Sequence, residues 1–140
     1  MDLPDVNLWV ALVDKRHQHH AMAHAYWSQN GVTPLAFCSS TLQGFLRIIT
    51  NAKAVENPKT PLEAWALYHA FRALPNITFL SEPLALETHF HALTTAAELP
   101  HRLWTDAYLA AFAIATGSRL VSLDADFARF PDLKFLHLTP

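Results

Sequence analysis

Three aspartates stand where apolar stretches of this sequence begin or end. Asp5 follows a short apolar start, Asp106 begins an almost wholly apolar helix, and Asp124 follows the stretch "RLVSL". If the three carboxylates converge, each pair at ~4 Å repels by about 4 kcal/mol at an effective dielectric near ~20. Such a cluster persists by taking up protons or by binding a cation. All-oxygen ligands select a hard ion, Mg²⁺ or Mn²⁺, which can activate water for attack on a phosphodiester.

Asp106 also has a simpler interpretation, in which its carboxylate only stabilises the positive end of the helix dipole, by about 0.3–1 kcal/mol. Thr105 is the expected N-cap of that helix. The helix is apolar almost all round over residues 107–114, which indicates a central, buried position. An acid at the start of a central helix is expected to face a cleft at the strand ends rather than open solvent.

Short apolar strands alternate with helical segments along the chain. We predict strands at the apolar start and over 33–38, 76–80, 119–123 and 134–138, and helices over 7–13, 19–31, 39–51, 61–74, 82–99 and 104–117. Strands separated by helices imply parallel crossovers and hence one α/β domain over residues 1–140, with a central, mostly parallel sheet. Sites in such sheets form at the carboxyl ends of the strands, where Asp5 and Asp124 are predicted to lie.

The composition sets limits on the function. The 140 residues are 51% hydrophobic and 16% charged, with a formal net charge of −2, so the chain can bury a sizeable core and has no global basic field. Nucleic-acid binding would therefore need a local patch. No apolar run reaches the ~18 residues of a membrane span, and the start does not read as a signal peptide. The lone Cys38 excludes an internal disulfide, so we expect a cytoplasmic protein.

Three segments, "LPDVNLWVALV", "GFLRIITN" and "WTDAYLAAFAIATGSRLVSLDADF", together resemble the PIN domain of VapC-type toxins over nearly the whole chain. The most specific matches are the N-terminal Asp-x-Asn, the Thr-Asp-Ala-x-Leu-Ala helix start and the strand that ends Ser-x-Asp. The resemblance implies a flavodoxin-like α/β/α sandwich and a Mg²⁺-dependent endoribonuclease, with Mn²⁺ as a possible substitute. It also implies an RNA substrate, a VapB-like antitoxin and a homodimer.

The resemblance assigns roles to individual residues. The family's catalytic, metal-binding acids match three residues of this chain, Asp5, Asp106 and Asp124. Asn7 matches the small polar residue of the first motif, and Thr105 or Ser122 is expected to hydrogen-bond the acids. Two other families with acidic pockets fit poorly: receiver domains need paired acids after the first strand and haloacid-dehalogenase-like phosphatases need Asp-x-Asp, whereas "PDVN" has one acid.

One segment departs from the family pattern. The family commonly has a Glu on the helix that reads "STLQGFLRIITN" here, and this segment contains no acid. Gln43 is the nearest polar equivalent, and Leu42 is also an alignable position. Because an amide cannot neutralise a metal ion, we expect either weaker cation affinity or a contribution of charge from Asp126. The missing Glu motivates the alternative function, a non-catalytic PIN domain that binds only RNA or a protein partner.

Three further residues are candidates for RNA contact. Arg102 and Trp104 precede the acidic helix, where they would pair with phosphate and stack on a base. In the alternative, Trp104 is a hydrophobic staple for the helix and Arg102 is solvated. Arg47 lies one turn after Gln43, and either phosphate binding or a surface salt bridge suits it.

Two histidines and two tryptophans allow more than one interpretation. His20 and His24 are spaced i, i+4, as in a Zn²⁺ site, but no Cys or Glu lies nearby, so a polar helix face is favoured.

Trp9 and Trp65 belong either to the core or to an exposed groove that an antitoxin helix would occupy.

Overall fold

A computed structural model, which describes residues 1–140, contains one parallel sheet of five strands in the order β3-β2-β1-β4-β5. The strands are β1 (Asp2–Pro4), β2 (Leu35–Phe37), β3 (Ile77–Phe79), β4 (Arg119–Ser122) and β5 (Phe135–His137). All four neighbouring pairs are parallel. The α/β prediction is therefore confirmed, and the sheet is wholly rather than mostly parallel.

Six helices connect and cover the strands. They are α1 (Val6–Val13), α2 (His20–Asn30), α3 (Ser39–Ile49), α4 (Pro61–Arg72), α5 (Leu86–Thr95) and α6 (Trp104–Thr116). The helix predicted over 82–99 is shorter at both ends: a turn at Pro83 precedes Leu86, where the helix begins, and the helix ends at Thr95. None of the helices has the length and apolar character that crossing a membrane requires.

Each face of the sheet carries its own apolar cluster. Successive residues of β2 alternate between them: Leu35 and Phe37 pack with α1 to α4, whereas Ala36 packs with α6. This alternation follows from the two-residue period of a strand. Because helices cover both faces, the molecule is a three-layer α/β/α sandwich, and the sheet edge at the carboxyl ends stays open for a site.

Trp9 lies in the core, which decides between the two alternatives that the sequence left open for it. Its side chain is fully buried and stacks on Phe37, with ring centroids 3.9 Å apart. The reason is that α1 is packed between the sheet and its neighbouring helices, and Trp9 points inward from it. Trp65, on α4, remains 43% exposed.

A buried ion pair joins β1 to β4 at the amino ends of the strands. The Asp2 carboxylate is almost fully buried and accepts hydrogen bonds from Arg119 Nε at 2.9 Å and Nη2 at 2.8 Å. The Tyr26 hydroxyl donates a third, at 2.6 Å. Burial raises the pKa of Tyr26, and the bond to Asp2 raises it further. The contacts hold β1, β4 and α2 together at the end of the sheet opposite Asp5.

Candidate active site

Asp5 and Ser122 meet at the carboxyl ends of β1 and β4. Asp5 directly follows β1 and is the N-cap of α1, where its Oδ1 accepts a hydrogen bond from the Val6 amide at 2.7 Å. Ser122 is the last residue of β4, and its hydroxyl donates to Asp5 Oδ2 at 2.8 Å. Both oxygens of Asp5 therefore have fixed partners before any ligand arrives.

Ser122 and Asn7 connect the two strand ends through a wider hydrogen-bond network. Asn7 Nδ2 donates to Ser122 Oγ at 3.1 Å, and Asn7 Oδ1 accepts from the Leu123 amide at 3.3 Å. The Asp124 amide donates to the same Ser122 hydroxyl at 3.0 Å. This network fixes the backbone that carries Asp124 relative to Asp5, which is a positioning role for Asn7 and Ser122.

The tightest acidic cluster consists of Asp106, Asp124 and Asp126. Their carboxylate oxygens lie within 4.8 Å of one another. Asp106 comes from the first turn of α6, and Asp124 Oδ1 accepts a hydrogen bond from the Asp126 amide at 2.9 Å. Asp126, which the sequence suggested only as a source of additional charge, thus lies inside the cluster. Asp5 lies beside the cluster, and both of its carboxylate oxygens already accept hydrogen bonds.

Burial and mutual repulsion make this cluster electrostatically unfavourable without a cation. Burial, followed by the negative charges of Asp5, Asp124 and Asp126, raises the pKa of Asp106 to about 6. Burial also raises the pKa of Asp5, against the opposing hydrogen bonds from Ser122 and Val6. A divalent cation would relieve both effects, and an all-carboxylate donor set fits a hard ion such as Mg²⁺.

Arg102 already neutralises part of the cluster. Its Nη1 donates to Asp126 Oδ2 at 2.9 Å; the Arg102 side chain is largely exposed and the Asp126 side chain is partly exposed. The hydrogen bond to Asp126 raises the pKa of Arg102. Arg102 is therefore a counter-ion of the site rather than a freely solvated side chain. Trp104 is 47% exposed next to it and makes an edge contact with Phe90, with ring centroids 5.9 Å apart.

An open cleft of about 570 Å³ separates the start of α6 from α3. Gln43 and Arg47 line its α3 wall, and Leu42 instead packs against the core, so Gln43 is the residue that faces the acids. Sequence reasoning missed three other lining residues, Ser39, Ser40 and Tyr108. The two serines begin the helix that follows β2, so the rule that sites form at carboxyl strand ends would have found them.

Thr105 does not cap α6, which corrects the prediction. The helix begins at Trp104 and continues directly from the short 3-10 turn His101–Leu103, so Leu103 occupies the cap position without a side-chain hydrogen bond. Thr105 consequently lies within the first turn and lines the cleft. Of the two residues expected to bind an acid, Ser122 does so.

Gly44 allows α3 to pass very close to the start of α1. A Cβ at this position would lie 2.6 Å from Val6 Cγ2, and Val6 adjoins Asp5.

We expect Gly44→Ala to lower the free energy of unfolding by about 1–3 kcal/mol, although alanine is more favourable than glycine within a helix by roughly 1 kcal/mol. Urea denaturation measures this change. Gln43→Ala, at an exposed position of the same helix, should leave stability unchanged or slightly higher; equal stability of Gly44→Ala and the original chain would contradict the close approach.

Comparison with known proteins identifies relatives along almost the entire chain. The sequence model of the PIN domain family matches residues 3–133. Ribonuclease VapC41 of Mycobacterium tuberculosis is 36% identical over 136 residues, which cover 93% of each chain. Ribonuclease VapC33 of the same species is 36% identical over 138 residues, which cover 96% of each chain.

Solved structures with the same fold include members of toxin–antitoxin systems. VapBC2 from Rickettsia felis, bound to a DNA fragment from their promoter, superposes with a TM-score of 0.72 at 16% identity, covering 99% of this chain and 98% of that one. Mycobacterium tuberculosis VapC20, a Sarcin-Ricin loop cleaving toxin, gives a TM-score of 0.65 at 16% identity, covering 95% and 98%. These likenesses show the fold. The sequence matches establish that the chain belongs to the PIN domain family and, within it, to the VapC group.

Proposed function

We propose that this protein is a metal-dependent endoribonuclease that uses Mg²⁺ to cleave phosphodiester bonds of RNA, as the toxin of a toxin–antitoxin pair. The observation that carries the proposal is the convergence of the Asp106, Asp124 and Asp126 carboxylates, at an open cleft that Asp106 and Asp5 line. The VapC relatives that cover most of the chain are named ribonucleases, which supports the same chemistry here.

The all-carboxylate donor set supports a metal site at the acidic cluster. Asp106 and Asp124 would hold it, with Asp126 or Asp5 supplying further negative charge. When bound, Mg²⁺ lowers the pKa of a coordinated water and stabilises negative charge on a phosphate. Asp126 compensates for the missing acid at Gln43, and this argues against the alternative of a non-catalytic PIN domain that only binds RNA or a protein.

The protein's own side chains position the reacting groups. Ser122 and Asn7 fix Asp5 and the backbone at Asp124 before substrate binds, so little reorganisation is needed during the reaction. On the opposite wall of the cleft, Arg47 makes no ion pair with an acid and is available to a phosphate of the RNA.

Arg102 and Trp104 extend the RNA surface beyond the cleft. Once an ion neutralises Asp126, the Arg102 guanidinium is free to bind a phosphate instead. The exposed ring of Trp104 offers a surface for an unpaired base, as aromatic side chains do in single-stranded RNA recognition. Specificity would then come from the shape of the RNA and from a few such contacts.

The proposal includes the partners and location that the family implies. A VapB-like antitoxin is proposed as the protein partner, and the structural likeness to VapBC2 supports it. A homodimer and a cytoplasmic location complete the proposal, and the free, buried thiol of Cys38 is consistent with a reducing compartment.

A metal titration tests the proposal directly. Purified protein stripped with a chelator is expected to cut no RNA, and addition of Mg²⁺ or Mn²⁺ is expected to restore cleavage. Calorimetry with Mn²⁺ measures binding separately from activity. If the protein neither binds Mn²⁺ nor cuts any RNA in its presence, the enzyme proposal fails; if it binds RNA and Mn²⁺ without cleavage at any metal concentration, the non-catalytic alternative replaces it.

Metal binding should weaken in acid because protons compete for Asp106. Its pKa of about 6 predicts that Mn²⁺ affinity falls as the pH drops below 6, by up to about tenfold per pH unit. Calorimetric titration between pH 5 and pH 8, about one unit below and about two units above the transition, measures the effect. Asp106→Asn should lose this dependence, and an affinity that stays constant across the range would contradict the raised pKa.

The metal-free protein should show the opposite trend in stability. The folded pKa of Asp106, about 6, exceeds its ordinary value of 3.8, so the folded state binds more protons between these two values. The contribution of Asp106 to stability is therefore complete below the lower value and is lost as the pH rises through the upper one.

A further inference from the structure

His20 and His24 form a close pair of imidazoles at the start of α2, near the end of α1 that is remote from Asp5. They occupy adjacent turns, and their ring centroids lie 4.6 Å apart with an interplanar angle of 59°. Residues at i and i+4 share one face of a helix, so both rings can reach a common ligand. The proposed nuclease function uses neither residue.

A hydrogen bond prepares His20 to act as a ligand. Its Nδ1 lies 2.7 Å from the carbonyl oxygen of Ala11 on α1. Because a carbonyl only accepts, Nδ1 carries the proton, and the neutral ring has its lone pair on Nε2. Metal-binding histidines are held in the same way, by donation of the second ring N–H to a carbonyl or carboxylate.

The separation of the rings fits two imidazoles on one ion. A metal–nitrogen bond measures about 2.0–2.1 Å and the ring centre lies roughly 1.1 Å beyond the nitrogen, so two rings at about 90–110° are about 4.5–5.2 Å apart. The observed 4.6 Å falls within this interval. The separation of the two rings is therefore compatible with chelation of one ion.

Two neighbouring side chains already accept hydrogen bonds from the backbone. His17 Nδ1 accepts a hydrogen bond from the His19 amide at 3.0 Å, so its lone pair is already used. Asp14 Oδ1 accepts from the Arg16 amide at 3.1 Å. Water would complete the coordination, since His24 is exposed.

We propose that His20 and His24 form a second metal site, which binds a divalent transition-metal ion that prefers imidazole, such as Cu²⁺, Ni²⁺ or Zn²⁺. Its chemistry differs from that of the carboxylate cleft, because Mg²⁺ prefers oxygen ligands. α2 begins without a side-chain cap, so an ion that bridges residues 20 and 24 fixes its first turn. Through the carbonyl of Ala11, the same ion ties α2 to α1.

Calorimetric titration of the full, untagged chain with Ni²⁺ tests the site, in buffer that contains excess Mg²⁺ to occupy the cleft. His24→Gln removes one ligand at an exposed position, and the exposed His91→Gln on α5 is the matched control. We expect the original chain and His91→Gln to bind one more Ni²⁺ than His24→Gln, or to bind it at least tenfold more tightly.

Thermal unfolding provides a second readout. Ni²⁺ should raise the midpoint temperature of the original chain and of His91→Gln by several degrees, and of His24→Gln by less. Equal Ni²⁺ binding by His24→Gln and the original chain, or no Ni²⁺ binding by either, overturns the proposal. Neither measurement involves RNA, so failure of this site and failure of the nuclease proposal remain distinguishable.

Discussion

Asp106→Asn should abolish RNA cleavage and cellular toxicity while leaving the fold intact. Asp106 contributes its carboxylate from the first turn of α6 to the cluster with Asp124 and Asp126. An amide has the same size but no charge, so it weakens metal binding and removes one group that orients the reacting phosphate. Loss of a metal ligand should cost more than the 10–100-fold typical of residues behind the ligands, so we expect a decrease of at least about 100-fold.

The same change should not weaken the metal-free fold. Asp106 is partly buried, and three carboxylates repel it, so the neutral asparagine removes an unfavourable charge. The free energy of unfolding is therefore expected to stay constant or to rise slightly. Thermal and urea denaturation, followed by circular dichroism, measure it.

Cleavage is best measured in cells and with purified protein together. Mapping new 5′ ends in cellular RNA shows whether the original chain cuts and whether Asp106→Asn does not. Asp132→Asn is the matched control, because Asp132 is exposed, lies outside the cleft and has a positive φ of 65° that asparagine tolerates. Full activity of Asp106→Asn would refute its assignment.

Asp2→Asn should cause the largest loss of stability among single polar substitutions. The change leaves the Arg119 guanidinium without a charged partner and weakens the bond from Tyr26. Because the Arg119 side chain is 40% exposed, water offsets part of the penalty. We expect the free energy of unfolding to fall by about 2–3 kcal/mol, below the 3–5 kcal/mol typical of a fully buried pair.

Urea denaturation measures this loss, and Tyr26→Phe is its control. Tyr26→Phe removes one hydrogen bond but keeps the ion pair, so it should cost about 1 kcal/mol. Mn²⁺ affinity of both variants should match the original chain, because the pair lies at the opposite end of the sheet from the cleft. If Asp2→Asn were as stable as Tyr26→Phe, the ion pair would contribute less than its geometry indicates.

The architecture could be predicted because its signals are local. Apolar runs of strand length alternate with helical patterns, and such alternation predicts a parallel sheet whose strands are connected by helices. Acids that follow those runs then fall at one edge of the sheet by topology alone, which is why Asp5 and Asp124 could be placed from sequence. Asp106 joins the same set because it begins a helix that is apolar almost all round, and the family resemblance implies the same three residues.

Details of the site depend on contacts that sequence spacing does not encode. Asp126 enters the cluster because the chain turns sharply after Asp124, and Arg102 reaches Asp126 across 24 residues of sequence. The closeness of Gly44 to Val6 results from the packing of α3 against α1. Burial of Trp9 likewise depends on which face of α1 meets the sheet. The sequence of α1 does not determine that face, because the helix is short and almost wholly apolar.

The strand order has a consequence for synthesis on the ribosome. β1 is the central strand and emerges first, yet its partner β4 comes from the last quarter of the chain. The hydrogen bond between Asp5 and Ser122 spans 117 residues, which take about 6–23 s to translate at about 5–20 residues per second. The acidic cleft is therefore completed only after β4 and Asp124 have been made, and a chain that terminates before them carries Asp5 without the acidic cluster.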